Sequence, residues 1–188
     1  MRKLLLQVNM TLDGYVARPD GKTDWMWLAS ERDEKGFQRV IELAESCDTI
    51  LMGRKMTRGF VDYWEDVADN QPDNPMNSFA QRMVNTHKIV FSGTEKQIKG
   101  RNITVESGDL ATTVKALKQQ SGKNILVYGG AEFVSSLIKL NLIDEYYLFI
   151  NPVAIGEGLP IFREQKILKL DSTTAYKNGK VLHKYLPA

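Results

Sequence analysis

Twice in this sequence an apolar β-type run stops on glycine and passes at once into a segment suited to begin a helix. The two places are Ile50-Leu51-Met52-Gly53-Arg54-Lys55 and Leu126-Val127-Tyr128-Gly129-Gly130-Ala131. Strands that are apolar at consecutive positions are covered on both faces, which marks a mostly parallel sheet between helices. One strand-to-helix glycine can be purely steric. Two of them put two helix starts at one end of the sheet, and ligands of open α/β sheets bind outside the carboxyl ends of the strands. Free N–H groups at a helix start bind phosphate oxygens, glycine lets the backbone come close, and Arg54 can fork onto a phosphate. A dinucleotide diphosphate suits such a crevice. Neither G-x-G-x-x-G nor G-x-x-x-x-G-K-[ST] occurs, so the phosphate site is neither a standard Rossmann turn nor a P-loop.

The rest of the chain continues the alternation. Leu4 to Met10 reads as a buried first strand ending near the Asp13-Gly14 turn. From Asp33, the residues Phe37, Val40, Ile41, Ala44 and Cys47 recur at helical spacing, with Cys47 assigned to helix packing. The stretch Asp69 to Asn77, with its prolines and asparagines, reads as a surface loop. Lys88 to Ser92 and Ile103 to Glu106 are further β candidates. Leu110, Val114 and Leu117 mark a helix that Gly122 ends. Phe133, Val134, Leu137 and Ile138 mark another, with Asn141 at its left-handed C-terminal position. Glu145 to Pro152 is one β run, and Asn178-Gly179 between Thr173–Lys177 and Val181–Leu186 signals a hairpin. The expectation is an α/β fold of about eight strands and four helices, with a mixed, mostly parallel sheet, helices on both faces and a C-terminal antiparallel hairpin.

Composition removes other classes. The 188 residues suit a single domain over 1–188, and 43% hydrophobic with 26% charged residues is ordinary globular usage. Lys plus Arg number 25 against 23 Asp plus Glu, without long blocks, so neither a nucleic-acid nor a membrane partner is expected. Lone Cys47 forms no internal disulfide, and with only His87 and His183 beside it no metal set is expected; a reducing cytoplasm is the expected compartment. Gln7 and Asn9 interrupt the apolar start, so neither an export signal nor a membrane span is read there.

Ser92-Gly93-Thr94, with Lys96 behind it, either holds a further phosphate such as the 2′-phosphate of NADPH or is only a turn. Trp25 and Trp27 alternate around Met26, so one of them either faces a ligand or both cap the core edge. Asp13 reads first as turn chemistry, both histidines as structural, and Lys115, Lys118 and Lys123 as a solvated helix face.

Four segments together resemble the dihydrofolate reductase-like superfamily: Met10-Thr11-Leu12-Asp13-Gly14-Tyr15-Val16-Ala17, Met52-Gly53-Arg54-Lys55, Tyr128-Gly129-Gly130-Ala131, and Ile143 to Leu148 with Asn151-Pro152 and Gly156-Glu157-Gly158. Within it the chain is most similar to stand-alone members of the reductase domain that accompanies a deaminase in riboflavin biosynthesis. The resemblance implies NADPH as hydride donor, a pterin-like or aminopyrimidine-like heterocycle as substrate, and a homodimer. It places Gly53, Arg54 and Lys55 on the cofactor phosphates, Ser92 at the adenosine end, and Gly129, Gly130, Ala131, Glu132 and Phe133 on the diphosphate. Val16 and Ala17 would border the nicotinamide, and Asn9, Met10, Asp24, Trp25 and Tyr128 the substrate. Where the family has Gly-Arg-x-Thr, this chain has Thr57 one residue later, and Tyr128 stands where a glutamate is common. The proton donor is left between Asp33, Glu34 and a bound water. The rival readings are a non-catalytic NADP(H)-binding protein and a true dihydrofolate reductase.

Overall fold

Along the first strand Leu4, Leu6, Val8 and Met10 enter one apolar core while Leu5 enters a second on the opposite side, so this strand has no solvent face. The computed structural model describes residues 1–28 and 33–188. In chain order it has β1 (Leu4–Thr11), β2 (Tyr15–Ala17), a 3-10 turn (Asp24–Trp27), α1 (Glu34–Glu45), β3 (Cys47–Gly53), α2 (Arg54–Asn70), α3 (Asn77–Asn85) and β4 (His87–Phe91). There follow β5 (Ile103–Glu106), α4 (Leu110–Gln119), β6 (Asn124–Val127), α5 (Ala131–Lys139), β7 (Glu145–Asn151), β8 (Leu159–Pro160), β9 (Leu168–Ala175) and β10 (Val181–Pro187).

The main sheet has eight strands in the order β5-β4-β3-β6-β1-β7-β10-β9, and β2 pairs with β8 in a small separate sheet. Strands β5 through β7 run parallel, whereas β10 is antiparallel to both β7 and β9. Helices α1, α2 and α3 cover one face through Leu43, Phe60, Trp64 and Phe79, and α4 and α5 cover the other through Val114, Val134 and Leu137. After β3 the chain builds outward to β5 and then returns to insert β6 between β3 and β1. From β3 it leaves to one face and from β6 to the other, so the two helices beginning there diverge around a crevice at the carboxyl edge.

Several boundaries differ from the sequence reading. Among the described residues there are five α-helices rather than about four. The segment after Gly53 is a full helix of 17 residues, held by a buried stripe of Thr57, Phe60, Val61, Trp64, Val67 and Ala68. The proline-rich loop ends sooner than Asn77, because Phe79, Ala80, Met83 and Val84 bury a helical face and make Asn77 the first residue of α3. Cys47 starts β3 instead of packing in a helix; burial pushes its thiol up to about 11. β9 begins at Leu168, well before Thr173. Asn141 does adopt the left-handed conformation at φ 54°, and Gly179 does so in the hairpin at φ 82°.

Lys118 is a correction of another kind. It is buried rather than solvated, donating to the Leu142 carbonyl at 2.6 Å and pairing with Asp144 at 2.7 Å. Asp144 in turn accepts the Leu4 N–H at 2.7 Å, which ties α4 to the amino ends of β1 and β7. Arg2 belongs to the same edge, pairing with Asp48 and donating to Thr49 Oγ1 at 2.8 Å and the Lys123 carbonyl at 2.6 Å. Glu145 receives Lys3 at 2.6 Å and the Tyr147 hydroxyl at 2.6 Å.

Candidate functional site

Leu51 and Leu6 both pair with Val127, so counting two residues on sets Gly53, Gly129 and Val8 at one height across three adjacent strands. Gly53 is the N-cap of α2 and Gly130 that of α5, and neither helix has a side-chain cap. The first backbone N–H groups of each helix therefore have no helical partner, and both helix dipoles point their positive ends at this place. The junctions interlock. A Cβ on Gly53 would lie 2.7 Å from Phe133 Cβ, one on Gly129 would lie 3.2 Å from Met56 Sδ, and one on Gly130 would come within 3.8 Å of the Gly53 nitrogen. Gly130 also holds φ 89°, a value that side chains resist. Glycine here is required by close backbone approach, and what it leaves is a pair of open helix starts that fit an anionic diphosphate.

Cations flank this place. Arg54 pairs with Glu95 at 3.1 Å, and Lys55 with Glu132 at 2.8 Å, so the latter pair links the first turns of α2 and α5. The Lys55 ammonium holds the Glu132 carboxyl below the usual carboxylate range. A cleft of about 210 Å³ opens beside α2, lined by Arg54, Lys55, Arg58, Glu95 and Ile98. The Ser92 hydroxyl accepts the N–H groups of Thr94 at 3.3 Å and Glu95 at 2.9 Å, so it shapes the turn after β4. Thr57 is buried and its hydroxyl donates back to the Gly53 carbonyl at 3.0 Å, away from any phosphate. The Phe133 ring stacks on Phe91 at 5.4 Å, which leaves its backbone N–H as what it offers a ligand.

On the α1 side, the same register sets Met52, Tyr128, Gln7 and Tyr147 in a row across β3, β6, β1 and β7. Phe60 of α2 meets the Tyr128 ring at 5.5 Å and Arg39 of α1 lies 5.6 Å from the Tyr147 ring centre, so the two helices cover the strands to either side of β1. Gln7 is thus the polar residue in the floor between them. Asn9 lies one step nearer the carboxyl edge and accepts from Asn151 Nδ2 at 3.2 Å. Among the described residues, buried Gln7 Oε1, Trp25 Nε1, Tyr146 Oη and Asn151 Oδ1 have no hydrogen-bond partner. Gln7 and Asn151 stand on the neighbouring strands β1 and β7, and buried polar atoms without partners are unusual in a folded chain and suit contact with a polar ligand.

The family model of the RibD C-terminal domain matches residues 2–183. The chain belongs to the RibD C-terminal domain family. It is 33% identical over 184 residues to the uncharacterized Bacillus subtilis protein YyaP, covering 96% of this chain and 92% of that relative. Its fold superposes on a Shewanella sp. PV-4 structure assigned to riboflavin biosynthesis with a TM-score of 0.77, at 20% identity and with coverage of 100% and 99%. It also superposes on Enterococcus faecalis dihydrofolate reductase complexed with NADP(H), with a TM-score of 0.62 at 14% identity and coverage of 98% and 96%. These likenesses establish a dihydrofolate reductase-like fold.

Within this RibD C-terminal domain chain, Gly53, Arg54, Lys55, Gly129, Gly130, Ala131, Glu132 and Phe133 come together at the two junctions. Ser92 stands beside them as the support of the Glu95 turn. Asn9 and Met10 face opposite ways, and Met10 is spent on the core under α4 and α5, where Val16 also packs. Ala17 is buried on β2, whose partner β8 is approached so closely at Gly158 that a Cβ there would lie 2.4 Å from the Ala17 carbonyl oxygen. Trp25 is fully buried, while Trp27 is 75% exposed. Asp24 pairs with Arg18 at 2.7 Å. Tyr128 is half-buried, and burial drives its hydroxyl pKa upward, which suits a neutral wall rather than an acid. Asp33 caps α1, accepting from Gly36 N at 2.9 Å and Lys177 N at 2.9 Å. Those N–H groups, Gly36 first, hold its carboxyl below the ordinary range, which suits a helix cap. Glu34 lies exposed in the first turn of α1. Asp13 accepts from Ile155 N and Gly156 N at 3.0 and 2.7 Å, pinning the turn after β1. Gln7, Arg58, Glu95 and Asn151 have no site role in the sequence reading. Of these only Gln7 carried a local signal, as a polar residue inside an apolar strand.

Proposed function

We propose that this protein is an NADPH-dependent reductase of a pterin-like or aminopyrimidine-like heterocycle, of the 5-amino-6-(5-phosphoribosylamino)uracil reductase type. The carrying observation is the interlocking of Gly53 with Gly129 and Gly130, which turns two uncapped helix starts toward one point at the carboxyl edge. The backbone N–H groups of Arg54, Lys55, Ala131 and Glu132 would hold the diphosphate, and the Arg54 guanidinium a further phosphate. When bound, the dinucleotide supplies the hydride. The chain's own share is alignment, which converts a bimolecular encounter into a positioned one and is the larger part of the rate gain in such reductases. Val16 and Ala17 would border the nicotinamide. Gln7, Asn9, Trp25 and Tyr128 would meet the planar ring between α1 and α2, Gln7 and Trp25 with polar atoms that have no partner among the described residues. The family membership and the NADP(H) complex of the Enterococcus enzyme support this reading.

Asp33 is engaged as the α1 cap, so Glu34 or a bound water is the proposed source of the proton, with Asp33 the remaining candidate. The test mixes the protein with NADPH and NADH, follows tryptophan fluorescence, and then follows absorbance of the reduced nicotinamide with dihydrofolate and with aminopyrimidine ribose phosphates. The expected result is tight NADPH binding and oxidation on one of these rings. Binding without oxidation on any of them leaves the non-catalytic alternative. Arg54→Ala is expected to weaken NADPH at least tenfold more than NADH, and equal losses would remove the phosphate role of Arg54.

A further inference from the structure

The turn after β4 carries a feature that phosphate binding alone does not explain. A carboxylate, Glu95, occupies the guanidinium that stands nearest the cleft, at 3.1 Å from Arg54. Its position is built rather than accidental. Ser92 is buried, its N–H donates to the Glu106 carbonyl at 3.0 Å, and its hydroxyl accepts the Glu95 N–H at 2.9 Å, so β4 delivers Glu95 to α2. Lys55 is turned aside onto Glu132 at 2.8 Å. Arg58, one helical turn beyond Arg54, lines the same cleft of about 210 Å³ and has no ion-pair partner among the described residues.

We infer that Glu95 sets the choice between 2′-phosphorylated and 2′-hydroxylated dinucleotides by competing with the cofactor phosphate for Arg54. The inference rests on the dinucleotide reading above and goes beyond it by naming the residue that sets selectivity. A phosphomonoester brings about −1.5 to −2 charges at neutral pH. To bind here it must displace the Glu95 carboxylate from Arg54 and then lie beside it, a like-charge contact in a wet cleft. A ribose 2′-hydroxyl meets no such opposition, because it donates a hydrogen bond to a carboxylate, as acidic residues do for unphosphorylated cofactors elsewhere. Arg54 and Arg58 therefore favour the phosphate, Glu95 favours the hydroxyl, and the balance is adjustable by one substitution.

Glu95→Gln keeps the side-chain shape and removes the charge. It is expected to tighten NADPH and 2′,5′-ADP about tenfold, the size of one charge contact at high effective dielectric. NADH and 5′-ADP should be unchanged or weakened. Added salt should reduce the gain, since the cleft is open to solvent. A role confined to holding the turn would shift both cofactors alike, so equal changes for NADPH and NADH overturn the inference, as does no change in either. Glu95→Ala guards against an effect peculiar to glutamine and should show the same direction. If the unaltered protein binds neither dinucleotide, the reductase reading falls. The 2′,5′-ADP measurement still decides on Glu95, because failure of the variant to bind it more tightly overturns the competition.

Discussion

The two edges of the central sheet are finished in opposite ways. At the amino edge buried charges find partners: Arg2 in Asp48, Thr49 and the Lys123 carbonyl, Lys118 in Asp144 and the Leu142 carbonyl, Glu145 in Lys3 and Tyr147. At the carboxyl edge glycines replace side chains, helix starts are left uncapped, and Asn151 at the end of β7 keeps a buried polar atom without a partner among the described residues. Unpaired buried polar atoms cost stability, on the order of 1–3 kcal/mol each. A chain that satisfies one edge and leaves the other open has placed its stability and its binding capacity at opposite ends of the same strands.

The contrast breaks most sharply at Arg2. Arg2→Ala removes the hub of the amino-edge network, leaves the Lys123 carbonyl without its side-chain donor and takes the cation from Asp48, which should cost about 2–3 kcal/mol in urea unfolding. NADPH affinity should be untouched; a large loss of affinity in a folded variant would show that the two edges are coupled.

A smaller stability effect and a larger binding effect are expected at Gly53. The added Cβ of Gly53→Ala would meet Phe133 Cβ at 2.7 Å, so the junctions must move apart, at about 1–3 kcal/mol of overpacking. Dinucleotide affinity should fall at least tenfold. Retained affinity would mean that the spacing of the two helix starts does not matter to the ligand.

The smallest effect is at the α1 cap and appears only in acid. Because the Gly36 and Lys177 N–H groups favour the charged form of Asp33, its folded pKa lies below the unfolded value of 3.8. Its contribution is therefore complete above that pH and is lost as pH falls through the folded value. Asp33→Asn keeps a capping oxygen and should flatten the acid limb of the stability curve below about pH 4. Heterocycle reduction near neutral pH should change little, and its abolition in a folded variant would return Asp33 to the chemistry.

What could be read locally and what could not divides along physical lines. The parallel sheet, its two helical layers and the glycine junctions follow from patterns within a few residues: apolar runs, 3.6-residue spacing, and strands that stop on glycine. The Asn178-Gly179 hairpin and the turn at Asn141 are equally local, since backbone conformations at positive φ depend on the residue itself. Helix α3 is obscured in the sequence because the prolines and asparagines of Asp69 to Asn77 read as a loop, while the buried stripe from Phe79 to Val84 lies just beyond them. Lys118 looked solvated because a lysine on a helix usually is; its burial depends on Asp144 and the Leu142 carbonyl, which lie far along the chain. The same distance rule governs the site. Gly53 and Gly130 are individually legible as junctions, but their meeting, the delivery of Glu95 to Arg54 and the orphaning of Gln7 arise only from strand order and register. Periodicity along a chain reports which face of an element is buried; it carries no information about which distant residue will stand opposite, because that is set by how the layers close on one another.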